Sequence, residues 1–523
     1  MPGLGFWKLA QQNPDWIAVI EQSGAQHRAA DVLAAANQTV HALRTTLGMR
    51  NGDGLTLLLP NHVEMVEIYA AALQAGWYYT PINFHLTGPE VAYIIDDAEA
   101  KAFFCHTRFA DIGLAAVAEL NKEGKSPPPE ALISVGGDIP GFTPLSALRA
   151  GQPTTLPEDR TFGTAMHYTS GTTGKPKGVR RALSGQDPDT MAELGTILPG
   201  FFGITPGNGG VHLVTSPNYH TAVTQFGGNA LQMGHTLALM DKWTPEGTLE
   251  MIQRTKATHT HMVPTQFHRM LNLPDEVKKR YDVSSMKVAI HAAAPCPQHI
   301  KRAMLDWWGP VIYEYYAATE GGGTIATPED WLAHPGTVGK AWPIAEVKAF
   351  DDDGNEVPTG TPGTVYMKMA VGDFEYKGDK EKTEANRRSG YFTVGDIGYF
   401  DEDGFLYLCD RKIDMIISGG VNIYPAEIEG ELLRHPSVGD VAVFGIPDED
   451  WGEQIKAVVE LNDGYTASDE LAEEIINSLD GRLARLKWPK SVDFTDQLPR
   501  EPNGKLFKRR LRDPYWAGHE TAI

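Results

Sequence analysis

Apolar runs and amphipathic stretches alternate along most of this sequence, and this alternation constrains the fold more than any other feature. Residues 55–59 form an apolar run, interrupted only by Thr56, between Gly54 and Pro60. Such a run is typical of a strand buried on both faces of a parallel sheet. Residues 63–75 then carry apolar side chains at helical spacing and end at Gly76. The pair predicts one unit of an α/β fold with a doubly wound parallel sheet.

The same rhythm continues as far as about residue 320. Further strands are predicted at residues 211–215, 235–240, 259–263, 288–291 and 311–315, and helices at residues 245–256 and 297–308. In doubly wound sheets, ligands bind beyond the carboxyl ends of the strands. Polar or glycine-rich segments that directly follow a predicted strand are therefore the first candidates for a functional site.

The pattern changes twice in the second half of the chain. From about residue 336 to 410, short strands separated by Asp/Gly turns predict an antiparallel, barrel-like subdomain. After Arg411, a helix at 426–435, strands around 441–444 and 456–460, and a helix at 468–484 predict a small α+β domain. We therefore expect a large N-terminal region at 1–410, with its β-rich subdomain at about 336–410, and a separate C-terminal domain at 411–523.

One loop indicates the chemistry. Residues 168–178 read Tyr-Thr-Ser-Gly-Thr-Thr-Gly-Lys-Pro-Lys-Gly, directly after a strand-like run at 164–167. Glycines let backbone N–H groups turn toward an anion, hydroxyls add neutral donors, and lysines add charges that suit phosphate oxygens. The loop does not match the P-loop of ordinary NTPases, because only two residues separate Gly171 from Gly174 and Pro176 follows Lys175. We expect it to bind a polyphosphate.

This loop resembles the phosphate-binding loop of the adenylate-forming superfamily, which includes acyl-CoA synthetases. Five further segments follow in the order typical of that family, namely Tyr316–Glu320, Tyr391–Asp396, Asp410-Arg411, Gly419-Gly420 through Glu429, and Asn503–Lys505. Together with the loop they extend from the middle of the chain to near its end. The resemblance implies an AMP-forming ligase that first joins a carboxylic acid to AMP and then transfers it to a thiol.

The resemblance also implies a set of nucleotide-binding residues. Tyr316 would offer an aromatic face to adenine, Asp396 would accept hydrogen bonds from the ribose, and Arg411 would bridge ribose and phosphate. The full set expected to bind ATP or AMP is Thr169, Ser170, Gly171, Thr172, Thr173, Gly174, Lys175, Lys177, Ala293, Tyr316, Thr319, Asp396 and Arg411.

Three residues are expected to be catalytic by the same resemblance. Lys505 would contact both the substrate carboxylate and the α-phosphate. Glu320 would hold Mg²⁺, and Thr169 or a water from the phosphate loop would share the ion. His220 would stand where the acyl pocket meets the thiol path. Mg²⁺ is the expected cofactor, and ATP and CoA are expected as substrates.

The acyl and thiol sites are assigned to small residues. Gly321 and Gly322 are expected to line the acyl pocket with His220, and Gly419 and Gly420 to line the path of the CoA pantetheine arm. Glycines at 227–228 and 321–323 leave room for a bulky acid. Each assigned side chain also has an ordinary structural interpretation, such as a turn aspartate, a core aromatic or a basic helical face at 505–512.

The chain departs from the family pattern at two positions. Ala317 stands where the family usually has glycine, and Ile413 stands at the pivot where the family usually has Asp or Lys. In the family, a small C-terminal domain rotates at this pivot between the adenylating and thioester-forming poses. Its neighbours Lys412 and Asp414 remain alternative pivots, since hinges need no particular residue type.

Composition narrows the partners and the compartment. The formal net charge of −21 argues against nucleic acid, and three scattered cysteines give neither a disulfide nor a zinc framework. The sequence shows neither a secretory signal nor a run of membrane-spanning length. We expect a cytoplasmic protein with at most peripheral membrane contact, and a homodimer remains open.

The expected function is ATP-dependent conversion of a hydrophobic acid to acyl-AMP and then acyl-CoA, releasing PPi and AMP. The acid is expected to be a medium- or long-chain fatty acid or a bulky cyclic or steroid-derived one. Two alternatives remain at this point. One is an adenylating ligase that acts on an aromatic acid or loads a carrier protein, and the other is a non-catalytic nucleotide- or lipid-binding protein of the same fold.

Overall fold

The computed structural model describes residues 3–125, 127–169, 176–207, 209–318, 322–369, 375–376, 384, 386–500 and 506–517. The strands within these ranges are β1 Ile17–Glu21, β2 Gln26–Arg28, β3 Gly54–Leu58, β4 Tyr78–Pro81, β5 Ala100–His106, β6 Leu132–Val135, β7 Thr143–Pro144, β8 Thr164–Ala165, β9 His167–Thr169, β10 Lys177–Arg180, β11 Val211–Val214, β12 Thr236–Leu239, β13 His259–Met262, β14 Val288–His291, β15 Ile312–Ala317, β16 Gly323–Ala326, β17 Lys340–Ala341, β18 Ala345–Phe350, β19 Gly363–Met369, β20 Glu375–Tyr376, β21 Arg387–Arg388, β22 Tyr391–Phe392, β23 Asp396–Phe400, β24 Leu406–Arg411, β25 Ile416–Ser418, β26 Val421–Ile423, β27 Val438–Asp448, β28 Gly452–Leu461 and β29 Ser491–Thr495.

The α-helices of the described ranges are α1 Phe6–Gln12, α2 Ala29–Leu47, α3 Val63–Gln74, α4 Gly88–Asp97, α5 Ala110–Lys122, α6 Leu145–Arg149, α7 Pro188–Leu194, α8 Ile197–Gly200, α9 Thr221–Gln232, α10 Pro245–Thr255, α11 Pro264–Leu271, α12 Asp275–Arg280, α13 Gln298–Trp308, α14 Pro328–Ala333, α15 Pro425–Leu432, α16 Asp469–Asn477 and α17 Lys508–Trp516. Short 3₁₀ turns are found at Thr107–Phe109, Pro129–Ala131 and Arg485–Lys487. Among the described residues, none of these helices combines the length and the apolar composition that crossing a bilayer requires.

The chain divides into two compact units. Unit one comprises residues 1–261, 275–289 and 373–384, and unit two comprises residues 262–274, 290–372 and 385–523. Each unit is assembled from three separate segments of the chain. The division at residue 410 that the sequence predicts stays a prediction.

Unit one is built on parallel sheets, as the alternation of strands and helices predicts. One sheet has the order β7-β6-β5-β3-β4-β8, and every neighbouring pair in it is parallel. A second has β13, β11, β12 and β1 side by side in parallel, with β2 added antiparallel at the edge. Strand β3 is buried along its whole length, which is why its sequence is an apolar run and not an alternation.

The helices of unit one cover these sheets with their apolar faces. Helices α2 and α3 pack into one large core that also contains Trp7, Trp77 and Tyr79. Helix α3 ends at Gln74, and Gly76 follows in a left-handed conformation (φ 72°) that glycine adopts without strain. The predicted helix at 63–75 is therefore confirmed to within one residue.

Unit two contains antiparallel elements where the sequence predicts them. Strands β18, β19 and β21–β24 form a six-stranded sheet, with every pair of known register antiparallel. The turn at Asp401–Gly404 joins β23 to β24, as its Asp/Gly composition predicts.

The C-terminal part of unit two has a core of its own. The long hairpin β27–β28 pairs over ten residue couples, β25 and β29 join it, and α15 and α16 cover it around Ile428, Val443 and Ile475. Helix α16 ends at Asn477, well before the predicted residue 484. A left-handed Gly481 (φ 72°) lies in the intervening segment and is incompatible with a continuing helix.

Candidate active site

The predicted phosphate loop connects two strands of unit one. Strands β9 and β10 pair antiparallel, with Thr169 opposite Lys177 and Tyr168 opposite Gly178. The pairing of these two strands therefore fixes the positions at which the loop begins and ends. Six of its predicted ligands lie outside the described residues, namely Ser170, Gly171, Thr172, Thr173, Gly174 and Lys175.

The base of this hairpin is held by buried polar contacts. The hydroxyl of Tyr168 donates to Asp97 at 2.5 Å, which together with burial raises the pKa of the tyrosine. A ring nitrogen of His167 lies 3.2 Å from the carbonyl oxygen of Tyr219. Burial lowers the pKa of His167 to about 4, so its imidazole is neutral at physiological pH.

His220 lies at the N-cap of helix α9, directly after the segment Pro217–Tyr219. Its pKa is lowered to about 3, first by burial and then by the neighbouring imidazoles of His167, His261 and His85. A group with that pKa is a poor general base at neutral pH and is not charged. The structure therefore favours a positioning or lining role for His220 over proton transfer.

Asn61, which has no role among the sequence-based predictions, positions this segment. Its side-chain amide donates to the carbonyl oxygens of Ser216 (2.9 Å) and Met240 (3.0 Å). Its side-chain oxygen accepts from the backbone N–H of Asn218 at 2.9 Å. The sequence does indicate a special position here, because Asn61 is a polar residue between the apolar strand β3 and helix α3. Only the fold shows that it ties three segments together.

Three of the predicted nucleotide ligands come together in unit two. The Tyr316 hydroxyl donates to Asp396 at 2.6 Å, and the Arg411 Nε lies 3.6 Å from the other oxygen of the same carboxylate. Asp396 and Arg411 are themselves opposite each other on the antiparallel pair β23–β24. The arrangement joins an aromatic ring, a carboxylate and a guanidinium, which suits a nucleoside with a phosphate.

Ala293 occupies a strained turn just after β14. Its φ of 73° lies in the left-handed region that is costly for a residue with a Cβ, and its side chain is exposed. Such strain persists where the surrounding structure imposes it and is common at ligand sites. Its place beyond the carboxyl end of a strand agrees with a role in binding.

A buried charge network lies close to this turn in sequence and was missed from sequence. The Lys301 ammonium, fully buried on helix α13, lies 2.6 Å from Glu314 on β15, and His291 lies 3.5 Å from the same oxygen. Burial raises the pKa of Glu314 while Lys301 opposes that rise. A lysine on the apolar face of a helical pattern, between Ile300 and Met304, was the signal in the sequence.

The glycine pair at 419–420 forms the turn between β25 and β26. A Cβ on Gly419 (φ 57°) would come within 2.5 Å of the Trp451 ring, whereas a Cβ on Gly420 would meet nothing within 4 Å. Trp451 exposes 59% of its surface, an unusual fraction for a tryptophan. Gly419 therefore makes room for an exposed aromatic ring that the sequence analysis did not assign.

Four further predicted site residues lie outside the described residues, namely the catalytic residues Glu320 and Lys505, the nucleotide ligand Thr319 and the acyl-pocket residue Gly321. Gly322 is described. It is buried with φ 77°, and an added Cβ would approach Met367 to 3.0 Å, so close packing against β19 requires glycine there.

The residues that flank Lys505 are firmly held. Arg500 and Leu506 form an isolated β-bridge. The Arg500 guanidinium donates two hydrogen bonds to the carboxylate of Asp440, at 2.5 and 2.7 Å. Farther on, Lys508 forms a 2.9 Å ion pair with the largely buried Glu429. Two charged pairs thus anchor the chain before and after the segment that carries Lys505.

Two family models match this chain. The model described as AMP-binding enzyme matches residues 6–371, and the model described as AMP-binding enzyme C-terminal domain matches residues 427–505.

Individual proteins resemble the chain over nearly its whole length. A long-chain-fatty-acid–CoA ligase of Mycobacterium tuberculosis, FadD13, is 32% identical over 98% of both chains. A fatty acid–[acyl-carrier-protein] ligase of Streptomyces coeruleorubidus, ScoC, is 29% identical over 92% of this chain and 90% of its own. The crystal structure of ATP-bound MatB from Rhodopseudomonas palustris superposes with a TM-score of 0.80 at 29% identity, covering 98% of this chain and 99% of that one.

Proposed function

Because this chain belongs to the AMP-binding enzyme family, it is an AMP-forming ligase that joins a carboxylic acid to a thiol, and we propose that its acid is hydrophobic and its thiol is CoA. A carboxylate is a poor electrophile, so it must be activated before a thiol can attack. In the proposed reaction the acid attacks the α-phosphate of ATP, which forms acyl-AMP and releases PPi. The thiol then displaces AMP and forms the thioester.

The surroundings of His220 carry the proposal of a hydrophobic acid. After burial, the groups that lower the pKa of His220 are other imidazoles, and burial lowers the pKa of each of these imidazoles as well. Tyr219, Phe84 and Phe226 add further aromatic rings around the histidines. A site of this kind favours an apolar acyl tail and disfavours a second carboxylate.

The nucleotide is proposed to bind through residues from both halves of the sequence. Asp396 accepts hydrogen bonds from the ribose hydroxyls, Tyr316 offers its ring to adenine, and Arg411 contacts ribose and phosphate. The phosphates lie on the loop from Thr169 to Lys177, with Ala293 at the adenine. The contact between Tyr316, Asp396 and Arg411 supports this part of the proposal.

Charge on the reacting phosphate is proposed to be offset by Lys505 and Mg²⁺. Lys505 bridges the substrate carboxylate and the α-phosphate, which otherwise repel each other. Glu320 and Thr169 would hold Mg²⁺, which when bound would supply further positive charge to the phosphate oxygens. Removing one such stabilising donor typically raises a barrier by about 3–4 kcal/mol.

The thioester step is proposed to use the C-terminal domain, residues 411–523. Gly419 and Gly420 lie on an exposed turn, so a narrow pantetheine arm can pass close to the backbone. The exposed ring of Trp451 beside them supports CoA, which carries an adenine, over a carrier protein as the thiol. The first family model ends at residue 371 and the second begins at residue 427. A domain boundary near residue 410 falls between them, which supports the proposed division.

A panel of carboxylic acids with ATP, Mg²⁺ and CoA tests the proposal. Products are scored by mass, and we expect AMP, PPi and an acyl-CoA from medium- or long-chain or bulky cyclic acids. Formation of ADP would contradict the mechanism. Acyl-AMP without thioester would indicate a carrier protein as the acceptor, and a preference for aromatic or dicarboxylic acids would contradict the proposed substrate class.

Lys505→Ala tests the proposed division of labour. We expect ATP–PPi exchange to fall by about 10²–10³-fold, since one oxyanion-stabilising donor is removed. Thioester formation from supplied acyl-AMP should stay within a fewfold of wild type. Equal loss of both half-reactions would contradict the role proposed for this lysine. Arg510→Ala, which removes an exposed cation of helix α17, controls for the loss of a positive charge near this segment.

A further inference from the structure

A cluster of one histidine and two glutamates lies in unit one, and the proposed reaction uses none of the three. Glu21 ends strand β1, His62 is the N-cap of helix α3, and Glu64 lies in the first turn of that helix. One potential ligand atom of each residue lies within 4.8 Å of the other two. All three side chains are half-buried, so the group is a small polar recess and not a solvated surface.

Helix capping explains only part of this arrangement. The backbone N–H of Val63 donates to Glu21 at 3.1 Å, which satisfies one of the free N–H groups at the start of α3. The second carboxylate, Glu64, forms neither a hydrogen bond nor an ion pair with any other residue in the described part of the chain. A cap needs one acceptor, and the recess holds two carboxylates and an imidazole.

A guanidinium near this recess is already paired, and a second imidazole lies beside it. The Arg108 guanidinium donates through both of its terminal nitrogens to Asp241 at 2.7 Å. Asp241 in turn lies 3.6 Å from His62. The ring atom Nε2 of His27 is 3.8 Å from Glu21 and has no hydrogen-bond partner among the described atoms. Two neighbouring carboxylates repel each other unless a positive charge lies between them.

We propose that Glu21, His62 and Glu64 bind a divalent transition-metal ion such as Zn²⁺. Imidazole nitrogen and carboxylate oxygen are common ligands of this ion, and three protein ligands leave a fourth position for water. The net charge of −21 favours cation binding over the whole molecule. The site is distinct from the proposed Mg²⁺ site in its ligands and in needing no nucleotide.

The ion would link the end of β1 to the start of α3. His62 directly follows Asn61, the residue that holds Ser216, Asn218 and Met240. Metal binding would therefore stiffen the connection next to the segment that leads to His220. The proposed ion would therefore stabilise the fold at this connection and take no part in catalysis.

Zinc titration of the full chain after chelator treatment tests the proposal. Calorimetry is done without ATP, and we expect one Zn²⁺ per chain in the wild type. Glu64→Gln keeps the shape of the side chain and should raise the Kd at least about tenfold, the loss seen when even outer residues of metal sites are changed. Asp31→Asn, an exposed acid in the first turn of α2, is the matched control and should leave the Kd unchanged.

Two further measurements make the outcome decisive. His62→Gln should weaken binding as Glu64→Gln does, and Co²⁺ bound to the wild type should show visible absorption that neither variant shows. A wild type that binds no Zn²⁺ overturns the proposal, and so does a Glu64→Gln Kd equal to that of Asp31→Asn. Because ATP is absent, failure here leaves the proposed ligase activity untouched.

Discussion

Asp396 is the residue on which the proposed nucleotide site depends most directly. It accepts a hydrogen bond from Tyr316 and faces Arg411 across two paired strands. Its carboxylate therefore has partners that hold it in place before any ligand binds. Pre-organised acceptors of this kind lose little entropy on binding.

Asp396→Asn should raise the KM for ATP by roughly tenfold to 150-fold, because hydrogen bonds to a charged group contribute about 1.5–3 kcal/mol. ATP–PPi exchange measures this KM. Tyr316→Phe keeps the ring and removes only the hydroxyl, so its effect should be smaller. A larger effect for Tyr316→Phe would mean that the hydroxyl, and not the carboxylate, contacts the ribose.

Trp451 offers a second test at the scale of single residues. We expect Trp451→Ala to raise the KM for CoA by about tenfold, the order of magnitude of losing one base-stacking ring. Adenylation should be unchanged, because only the thioester step uses CoA. Tyr465→Ala, another exposed aromatic of unit two, is the control, and a rise in the KM for ATP with Trp451→Ala would contradict the assignment.

At the scale of elements, the packing of α3 against α9 explains why one of two adjacent glycines in α9 leaves no room for a side chain. A Cβ on Gly228 would lie 2.0 Å from the Tyr69 hydroxyl, whereas a Cβ on Gly227 would meet only Val214 at 3.9 Å. Both glycines line a small pocket that is partly open to solvent. The expectation that these glycines leave room for the acid stays a prediction, and at Gly228 the place of a side chain is filled by Tyr69.

Gly228→Ala should lower the free energy of unfolding by about 1–3 kcal/mol, because it overpacks this contact. Gly227→Ala, one position away in the same helix, should be neutral or stabilise by up to about 1 kcal/mol. Urea denaturation of the two variants measures the difference. Tyr69→Phe should partly rescue Gly228→Ala, and equal effects of the two alanines would contradict the packing described.

At the scale of the whole molecule, buried histidines make stability depend on pH. Burial lowers the pKa of His167 and His261 to about 4 and that of His212 and His220 to about 3. In the unfolded chain a histidine has a pKa near 6.5. Below that pH the unfolded state therefore binds protons that the folded state does not bind until the pH approaches the folded pKa values. The resulting stability is fully present above about pH 6.5 and is lost as the pH falls toward the folded values.

We therefore expect the free energy of unfolding, measured by urea denaturation, to fall steeply below pH 6.5, by about 1.4 kcal/mol per pH unit for each such histidine. His212→Leu should reduce the slope between pH 6 and pH 4.5 by about one proton. Denaturation of both proteins at pH 8 gives the baseline, since the linkage vanishes there. A slope unchanged by His212→Leu would mean that this imidazole is protonated in the folded protein.

The family, the ligase class and the mixed α/β fold were predicted from sequence and are confirmed. The periodicity of residues 55–75 and the Asp/Gly turn at 401–404 are local signals, and local signals determine elements. The predicted site residues stay predictions. The sequence could name Tyr316, Asp396 and Arg411 only through a resemblance, and the structure shows that these three are in contact.

What the sequence by itself determined is the order and type of the elements, because backbone propensity and apolar periodicity act between near neighbours. The tertiary structure alone decided which distant residues meet. Asn61 holds the segment before His220, Trp451 lies over Gly419, and Tyr69 fills the place of a Gly228 side chain. Each of these contacts joins positions far apart in the chain. Such contacts follow from how the sheets and helices pack, and no short stretch of sequence encodes them.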